Sequence, residues 1–379
     1  MESVTVNCLD YLVDQRAEMV DLLRRVVSYE SPSREKALVD ELACYLATEL
    51  SGIGADVEML EQSDGGNHLR ASWGKGPERV LVLGHMDTVW PRGEIARRPF
   101  RIEGGKAYGP GVYDMKAGLV LFFFALKALV ASGKGPARKI VFLCTSDEEI
   151  GSGTSRAVIE SEARKSAFVL VAEPAAGAQG AAKVSRSGWG MYDITVTGRS
   201  VHAGNDHRNG INAVEELAHQ ILKLQAMTDY SVGTTVSTGE TRGGIGYNVV
   251  PDLATAKVDL RARTGKELAA AQARILGLTP FLKGAGITVA GGINRQPMEA
   301  TAANVELYRK ARQFACELGF ELDGVHAGGV SDGNLTSALG VATLDGLGAV
   351  GDGAHAIHEH VCLEALAPRA ALLARLMAE

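Results

Sequence analysis

The sequence predicts an α/β protein, a mostly parallel sheet with helices on both faces, interrupted by an inserted α+β unit. Three observations carry this. Short apolar, β-branched runs alternate with helical patterns as far as Glu173, the order that builds a parallel sheet. After Glu173 the pattern changes to longer strands with two helices among them. After Pro297 the chain returns to the first domain. The expected boundaries are residues 1–186, 187–297 and 298–379, the first and third forming one catalytic domain. For 379 residues, two domains are the natural expectation.

Leu12, Met19, Leu22, Leu23, Val26 and Val27 recur at helical spacing and predict one amphipathic helix over Leu9–Tyr29. Ser31-Pro32-Ser33 breaks it and caps a second helix that ends by Gly52. Strands follow at Ala55–Leu60, His68–Trp73 and Val80–Gly84, then a long loop, Trp90–Pro99. A helix over Met115–Ser132 has an apolar stretch too short to span a bilayer. Strand Lys139–Ser146, helix 151–162 and strand 168–172 complete the alternation. Beyond the small-residue linker Ala175–Ala182, the inserted unit reads as strands Met191–Thr197, Thr234–Thr241, Thr255–Ala262 and Ile287–Ala290, with helices Asn212–Met227 and Lys266–Lys283. Helix Asn304–Leu318, the glycine-rich segment Gly328–Gly333 and a last helix, Pro368–Met377, end the chain.

Composition excludes several classes. A net charge of −6 argues against a nucleic-acid partner, and 46% hydrophobic with 22% charged residues describes a globular protein with a large core and no membrane role. Five cysteines, an odd number without CxxC spacing, favour buried thiols in a reducing compartment. No basic segment followed by an apolar core opens the chain, so a cytoplasmic setting is expected, or a periplasmic one if a leader has been removed.

The candidate functional residues sit where an open α/β sheet binds ligands, outside the carboxyl ends of its strands. His85 ends one apolar run. Asp87, two residues on, lies on the same side and can back the far nitrogen of His85, as carboxylates do behind metal-ligating histidines. Asp114 follows in a Gly/Pro-rich loop, Asp147-Glu148-Glu149 ends a second run, Glu173 a third, and His355 opens a polar loop. Singly, each has an ordinary reading: a carboxylate pair after a strand is usually solvated, and a lone histidine is usually hydrogen-bonded in the core. Gly151-Ser152-Gly153 lacks the third glycine of a dinucleotide-binding loop.

Taken together, GHMDTV (84–89), YGPGVYDMKAG (108–118), TSDEEIGS (145–152), AEP (172–174), VTGRSVHAG (196–204) and GAHAIHE (353–359) resemble the M20 family of di-zinc metallopeptidases and deacylases, nearest to its glutamate carboxypeptidase (carboxypeptidase G2-like) branch. The resemblance implies two zinc ions, or cobalt or manganese, bridged by Asp114. His85 and Glu173 would complete one metal's ligands, Glu149 and His355 the other's, and Glu148 would be the general base for a metal-bridging hydroxide. Of His355, His358 and His360, His355 has the family spacing to Glu359 and Val361. The inserted unit would be a lid and dimerisation domain, pairing through an edge strand and the helix Asn212–Met227 to form a homodimer. From it His202, often supplied by the partner subunit, would stabilise the oxyanion, and Asn248 and Arg261 would hold the substrate's carbonyl and carboxylate. The Gly328–Gly333 segment, with Gly329 and Ser331, would wrap the carboxylate with backbone N–H groups, and the peptide bond after Asp114 would be cis. The implied reaction is removal of a C-terminal amino acid from a small substrate with a free carboxylate. Where that branch carries basic residues this chain has Gln296 and Ala181, with Arg295, Lys183 and Arg186 nearby. N-acyl-amino-acid deacylation, of the acetylornithine deacetylase or aminoacylase type, is therefore the competing reading, and a non-catalytic binding protein of the same fold a third.

Overall fold

The computed structural model describes residues 2–132 and 136–379. The chain divides into two compact units: residues 1–185, 300–327 and 331–379 in one, residues 186–299 and 328–330 in the other.

The first unit is built on a six-stranded sheet in the order Asp56–Leu60, His68–Trp73, Lys139–Thr145, Arg79–His85, Phe168–Val171, Ala342–Leu344. The first two strands are antiparallel to their neighbours and the rest are parallel. The central strands are apolar on both sides because both faces are covered. Val80 and Val82 enter one core with the helices Ala117–Ala131 and Leu366–Ala378, while Leu81 and Leu83 enter another with Ile159 and Leu335. Helix Ala117–Ala131 has almost no polar face, as a helix buried on most sides requires. Its Gly118 permits that approach: a Cβ there would lie 2.0 Å from the carbonyl oxygen of Ala172.

Four strands of two or three residues form a separate small sheet in the order Gly351–Asp352, His360–Cys362, Lys106–Tyr108, Arg101–Glu103. None of these was expected. They are too short to show a period of two, yet they pin the hairpin that carries His355 beside the strand leading into Asp114.

Several other elements differ from expectation. The first helix is two, Glu2–Asp14 and Arg16–Ser28, broken at Gln15. Ser31-Pro32-Ser33 is not a helix cap; the helix Lys36–Gly52 starts after Glu35 without a side-chain cap, and the hydroxyl of Ser33 goes to Asp87 instead. Residues 151–155 form a turn around Asp147, whose Oδ2 accepts from the amides of Thr154 and Ser155, and the helix begins only at Arg156. The helix Gly265–Leu276 ends before Gly277, sooner than expected, and the following amides of Phe281 and Leu282 donate to Glu216.

The second unit is an antiparallel sheet, Thr235–Gly243, Leu253–Ala262, Gly188–Thr197, Gly286–Arg295 in that order. Helices Ala213–Gln225 and Gly265–Leu276 share one core with it, around Ile194, Val258 and Leu260. Asn212 and Thr264 cap these helices with their side-chain oxygens, which explains where both begin.

Candidate metal centre

Three adjacent parallel strands deliver the first set of side chains. His85 is the last residue of its strand, Glu148 and Glu149 form the turn after Lys139–Thr145, and Glu173 follows Phe168–Val171. Asp114 enters from a distorted turn between the small sheet and the helix Ala117–Ala131, and its bond to Met115 is cis, as the resemblance implied. His355, at φ 60°, sits in the loop of the hairpin Gly351–Cys362.

These side chains converge. Nε2 of His85 lies 3.2 Å from Oδ1 of Asp114 and 3.4 Å from Oε1 of Glu173. Nε2 of His355 lies 3.4 Å from Oδ2 of Asp114 and 3.1 Å from Oε2 of Glu149. Asp114 thus spans two histidines, one with each carboxylate oxygen. Donor atoms of His85, Glu148 and Glu173 fall within 4.8 Å of one another, as do those of His85, Asp114 and Glu149. Proximity alone does not separate Glu148 from the others.

The surrounding contacts fix this cluster. Nδ1 of His85 lies 3.0 Å from the backbone oxygen of Asp87 and 3.4 Å from its carboxylate. The Asp87 carboxylate, expected to serve His85, also accepts from Ser33 Oγ at 2.7 Å and from the amides of Glu148 and Glu149 at 3.2 Å each. Its larger part is to hold the turn that presents those two carboxylates. Glu359, noted in the sequence only for its spacing from His355, accepts from the amides of Gly111, Tyr113 and Asp114 and from the indole of Trp90. The Tyr113 hydroxyl donates to the carbonyl of Ala175, tying the Asp114 turn to the segment after Glu173.

The electrostatics follow from crowding acids and bases in a buried place. Burial opposes the charged form of Asp114, but hydrogen bonds from His355 and His85 outweigh it and hold this carboxyl well below its usual range. Burial, with Glu173, Asp332 and Glu149 nearby, pushes Glu148 well up. Glu149 rises to about 7, chiefly through burial. Hydrogen bonds to Asp114 and Glu149 raise His355 to about 10. Burial would lower His85, yet hydrogen bonds to Asp114, Asp87 and Glu173 raise it well above its ordinary value. In such a cluster protons occupy places that a cation would take. The donors fit a divalent metal such as zinc, two imidazole nitrogens and several carboxylates being its preferred oxygen and nitrogen ligands. Oε1 of Glu149 is buried and accepts no hydrogen bond among the described residues, an acceptor that a cation would satisfy.

The profile of "Peptidase family M20/M25/M40" matches residues 81–379. The chain belongs to this family. Carboxypeptidase G2 of Pseudomonas sp. (strain RS-16) is 28% identical over 372 residues, 96% of this chain and 89% of that protein. Succinyl-diaminopimelate desuccinylase of Variovorax paradoxus (strain S110) is 26% identical over 359 residues, 87% of this chain and 90% of that one. Among solved structures, aminopeptidase PepT of Bacillus cereus ATCC 10987 superposes with a TM-score of 0.78 at 21% identity, covering 96% of this chain and 98% of that one, a likeness of fold. The protein is a metal-dependent M20 metallohydrolase of the peptidase/deacylase type. Among the described residues no helix is long and apolar enough to cross a membrane.

The remaining positions of the M20 pattern lie in or beside the second unit. His202 is exposed; its Nδ1 accepts from the amides of Gly204 and Asn205 at 3.1 Å each, which leaves the proton of the neutral ring on Nε2. Asn248 is its neighbour, since its carbonyl accepts from Ala203 and His202 bridges Val249. Arg261 is far from both. The strand Leu253–Ala262 begins just after the Asn248 loop, and Arg261 stands eight residues along it from Leu253, roughly 27 Å at 3.4 Å per residue. Its Nε and Nη2 are engaged by Asp259, whose Oδ2 also accepts from Trp189. Gly329 is exposed, and the carbonyls of Gly329 and Val330 accept from the buried Arg186. Ser331 departs from expectation. It is fully buried, its hydroxyl donates to Asp345 and its amide to Asn334, so it secures the segment from inside the fold.

Proposed function

We propose that this M20 protein is a di-zinc hydrolase that removes a C-terminal amino acid from a small substrate, as a glutamate carboxypeptidase does. The observation that carries the reading is the span of Asp114 between His85 and His355, one carboxylate oxygen to each ring. His85 and Glu173 would hold one ion, Glu149 and His355 the other, with Asp114 shared. These ligands would hold zinc, which would supply a Lewis acid for the scissile carbonyl and make water acidic enough to react at neutral pH. Glu148 is the general base: a half-buried carboxylate pushed up by its surroundings takes a proton readily and returns it to the leaving amine. His202 supports an oxyanion through the N–H at Nε2, the tautomer its two backbone bonds select. Asn248 binds the substrate carbonyl, the amides around Gly329 meet its carboxylate, and Arg261 offers that carboxylate the Nη1 edge that Asp259 leaves. Ser331 serves by holding that segment.

The working form is a homodimer joined through the second unit. The strand Thr235–Gly243 is a sheet edge, and Ile245 and Tyr247 just beyond it are large apolar side chains left exposed. His202 would act from the partner subunit. Five unpaired cysteines agree with a cytoplasmic setting.

N-acyl-amino-acid deacylation is the second reading, favoured by Gln296 and Ala181 where the glutamate branch has basic residues. Zinc-loaded protein assayed on C-terminal glutamate dipeptides, N-acyl amino acids and their C-terminal amides separates the two. Faster cleavage of the glutamate peptides supports the first reading and faster cleavage of acyl amino acids the second. Equal rates on free acids and amides would sink both, because neither then reads the carboxylate.

A further inference from the structure

We propose that Glu359 is a positioning residue that locks Asp114 and His355 into one arrangement, so that the metal position these two share depends on its carboxylate. The proposal rests on reading Asp114 and His355 as metal ligands.

Glu359 is buried, and four N–H donors converge on it. Oε1 accepts from the amides of Tyr113 at 2.9 Å and Asp114 at 3.0 Å; Oε2 accepts from the amide of Gly111 and the indole of Trp90, both at 2.9 Å. Two donors on each oxygen fill the acceptor capacity of a carboxylate. The three amides belong to one turn, with Gly111 at φ 71°, and turn amides gathered in this way form a concave anion site. Here the anion comes from a distant part of the same chain. One of the three amides is that of Asp114 itself, so the carboxylate fixes the backbone from which the shared ligand projects.

The other end of the clamp is His355. The amide of Glu359 donates to the carbonyl of Ala356, and the amide of Ala356 to that of Gly353, which folds residues 353–359 into a tight double turn with His355 inside it. Gly353 has no room for a side chain: a Cβ would lie 2.9 Å from the Glu359 nitrogen. Displacing Glu359 therefore displaces the turn that carries His355. Trp90 reinforces the arrangement. Arg98 stacks on its ring at 3.9 Å and donates to the carbonyl of Ile357, in the same loop, at 3.1 Å. None of these bonds reaches His85 or Glu173; the clamp bears on the His355 position through both Asp114 and the His355 turn, and on the His85 position through the shared Asp114 alone.

The test is stepwise zinc titration of metal-free protein against a chromophoric chelator, repeated with cobalt and read by its visible absorption. Wild type, Glu359→Gln, Trp90→Phe and the reference variants His355→Ala and His85→Ala are compared. In Glu359→Gln one oxygen becomes an NH2 that faces two N–H donors, whichever way the amide is turned. Its affinity for one of two zinc ions should fall at least about 10-fold. The pattern and the cobalt spectrum should match His355→Ala and differ from His85→Ala. Trp90→Phe removes one donor and should weaken the same position by a smaller factor. Glu359→Gln binding both ions as tightly as wild type, or losing both equally while its circular dichroism is unchanged, overturns the proposal. If Glu359→Gln does not fold, Trp90→Phe decides, and wild-type affinity there overturns it. Failure of the underlying ligand assignment appears elsewhere: wild type itself would not bind two ions.

Discussion

The two groups of functional side chains are built in opposite ways. In the first unit His85 and Glu173 are buried and Asp114, Glu148 and Glu149 half-buried, and the segments presenting His85, Asp114, Glu148 and Glu149 are held by a second buried residue, Asp87 or Glu359. In the second unit His202 and Asn248 sit in an exposed loop, fixed mainly by backbone bonds to one another. Arg261 stands at the other end of the sheet. The lesson is that the candidate metal ligands converge within one chain, whereas the groups proposed to meet the substrate are not gathered within one second unit. Burial and hydrogen bonding can prepare a charged cluster to receive cations, but exposed loops must find their geometry against something else.

The sharpest way to break this contrast is at Glu148. Glu148→Gln should keep its metal content and lose kcat by about 10²- to 10⁴-fold, measured by steady-state turnover alongside metal analysis. Loss of metal as well would make Glu148 a ligand, as its distance from His85 and Glu173 allows. Next in size is Arg261. Arg261→Ala should lower kcat/KM for free-acid substrates by about 2–4 kcal/mol, and Arg261→Lys should not restore it, since a point charge does not replace a planar fork. If Asp259 merely uses Arg261 to pin the sheet, both variants will lower the melting temperature and leave kcat/KM alone.

The separation of His202 from Arg261 gives a third test. Inactive Glu148→Gln and His202→Ala subunits, mixed equally and allowed to exchange, should recover about a quarter of wild-type activity, because half the dimers are mixed and each has one intact site. No recovery at any ratio would mean that His202 acts within its own subunit.

The smallest effect concerns pH. A metal must displace the protons that His355, raised to about 10, and His85, also raised, carry at neutral pH. Glu149, raised to about 7, gains a further proton below that value. Binding therefore releases protons, and affinity should fall as pH falls, more steeply below pH 7 than above. Calorimetric titration in buffers of different ionisation enthalpy would register this; pH-independent affinity would show that the cluster holds no displaceable protons.

Much of the centre was legible because its residues end strands. Apolar runs terminating in His85, Glu149 and Glu173 are visible in one dimension, and parallel pairing brings such ends together. What escaped lies where contacts are local in space and remote in sequence. Strands of two or three residues carry no periodicity, so the small sheet joining His355 to Asp114 left no trace. Ser33 in a helix-breaking tripeptide reads as a cap, and only the fold shows its hydroxyl on Asp87, 54 residues away. Ser331 reads as a substrate contact, and only the fold shows it turned inward to Asp345.

The order of ligands along the chain has a consequence for biosynthesis. His85, Asp114, Glu149 and Glu173 are all made before the second unit, and the hairpin Gly351–Cys362 is made after it. A growing polypeptide folds from its beginning. One half of the centre has its donors available early, as an acidic nest with a single histidine, while the other waits for nearly the whole chain. On the proposed assignment, metal loading would have a direction set by translation: an ion at His85 and Glu173 would find its donors in a partly made protein, and an ion at His355 only after the hairpin Gly351–Cys362 is made.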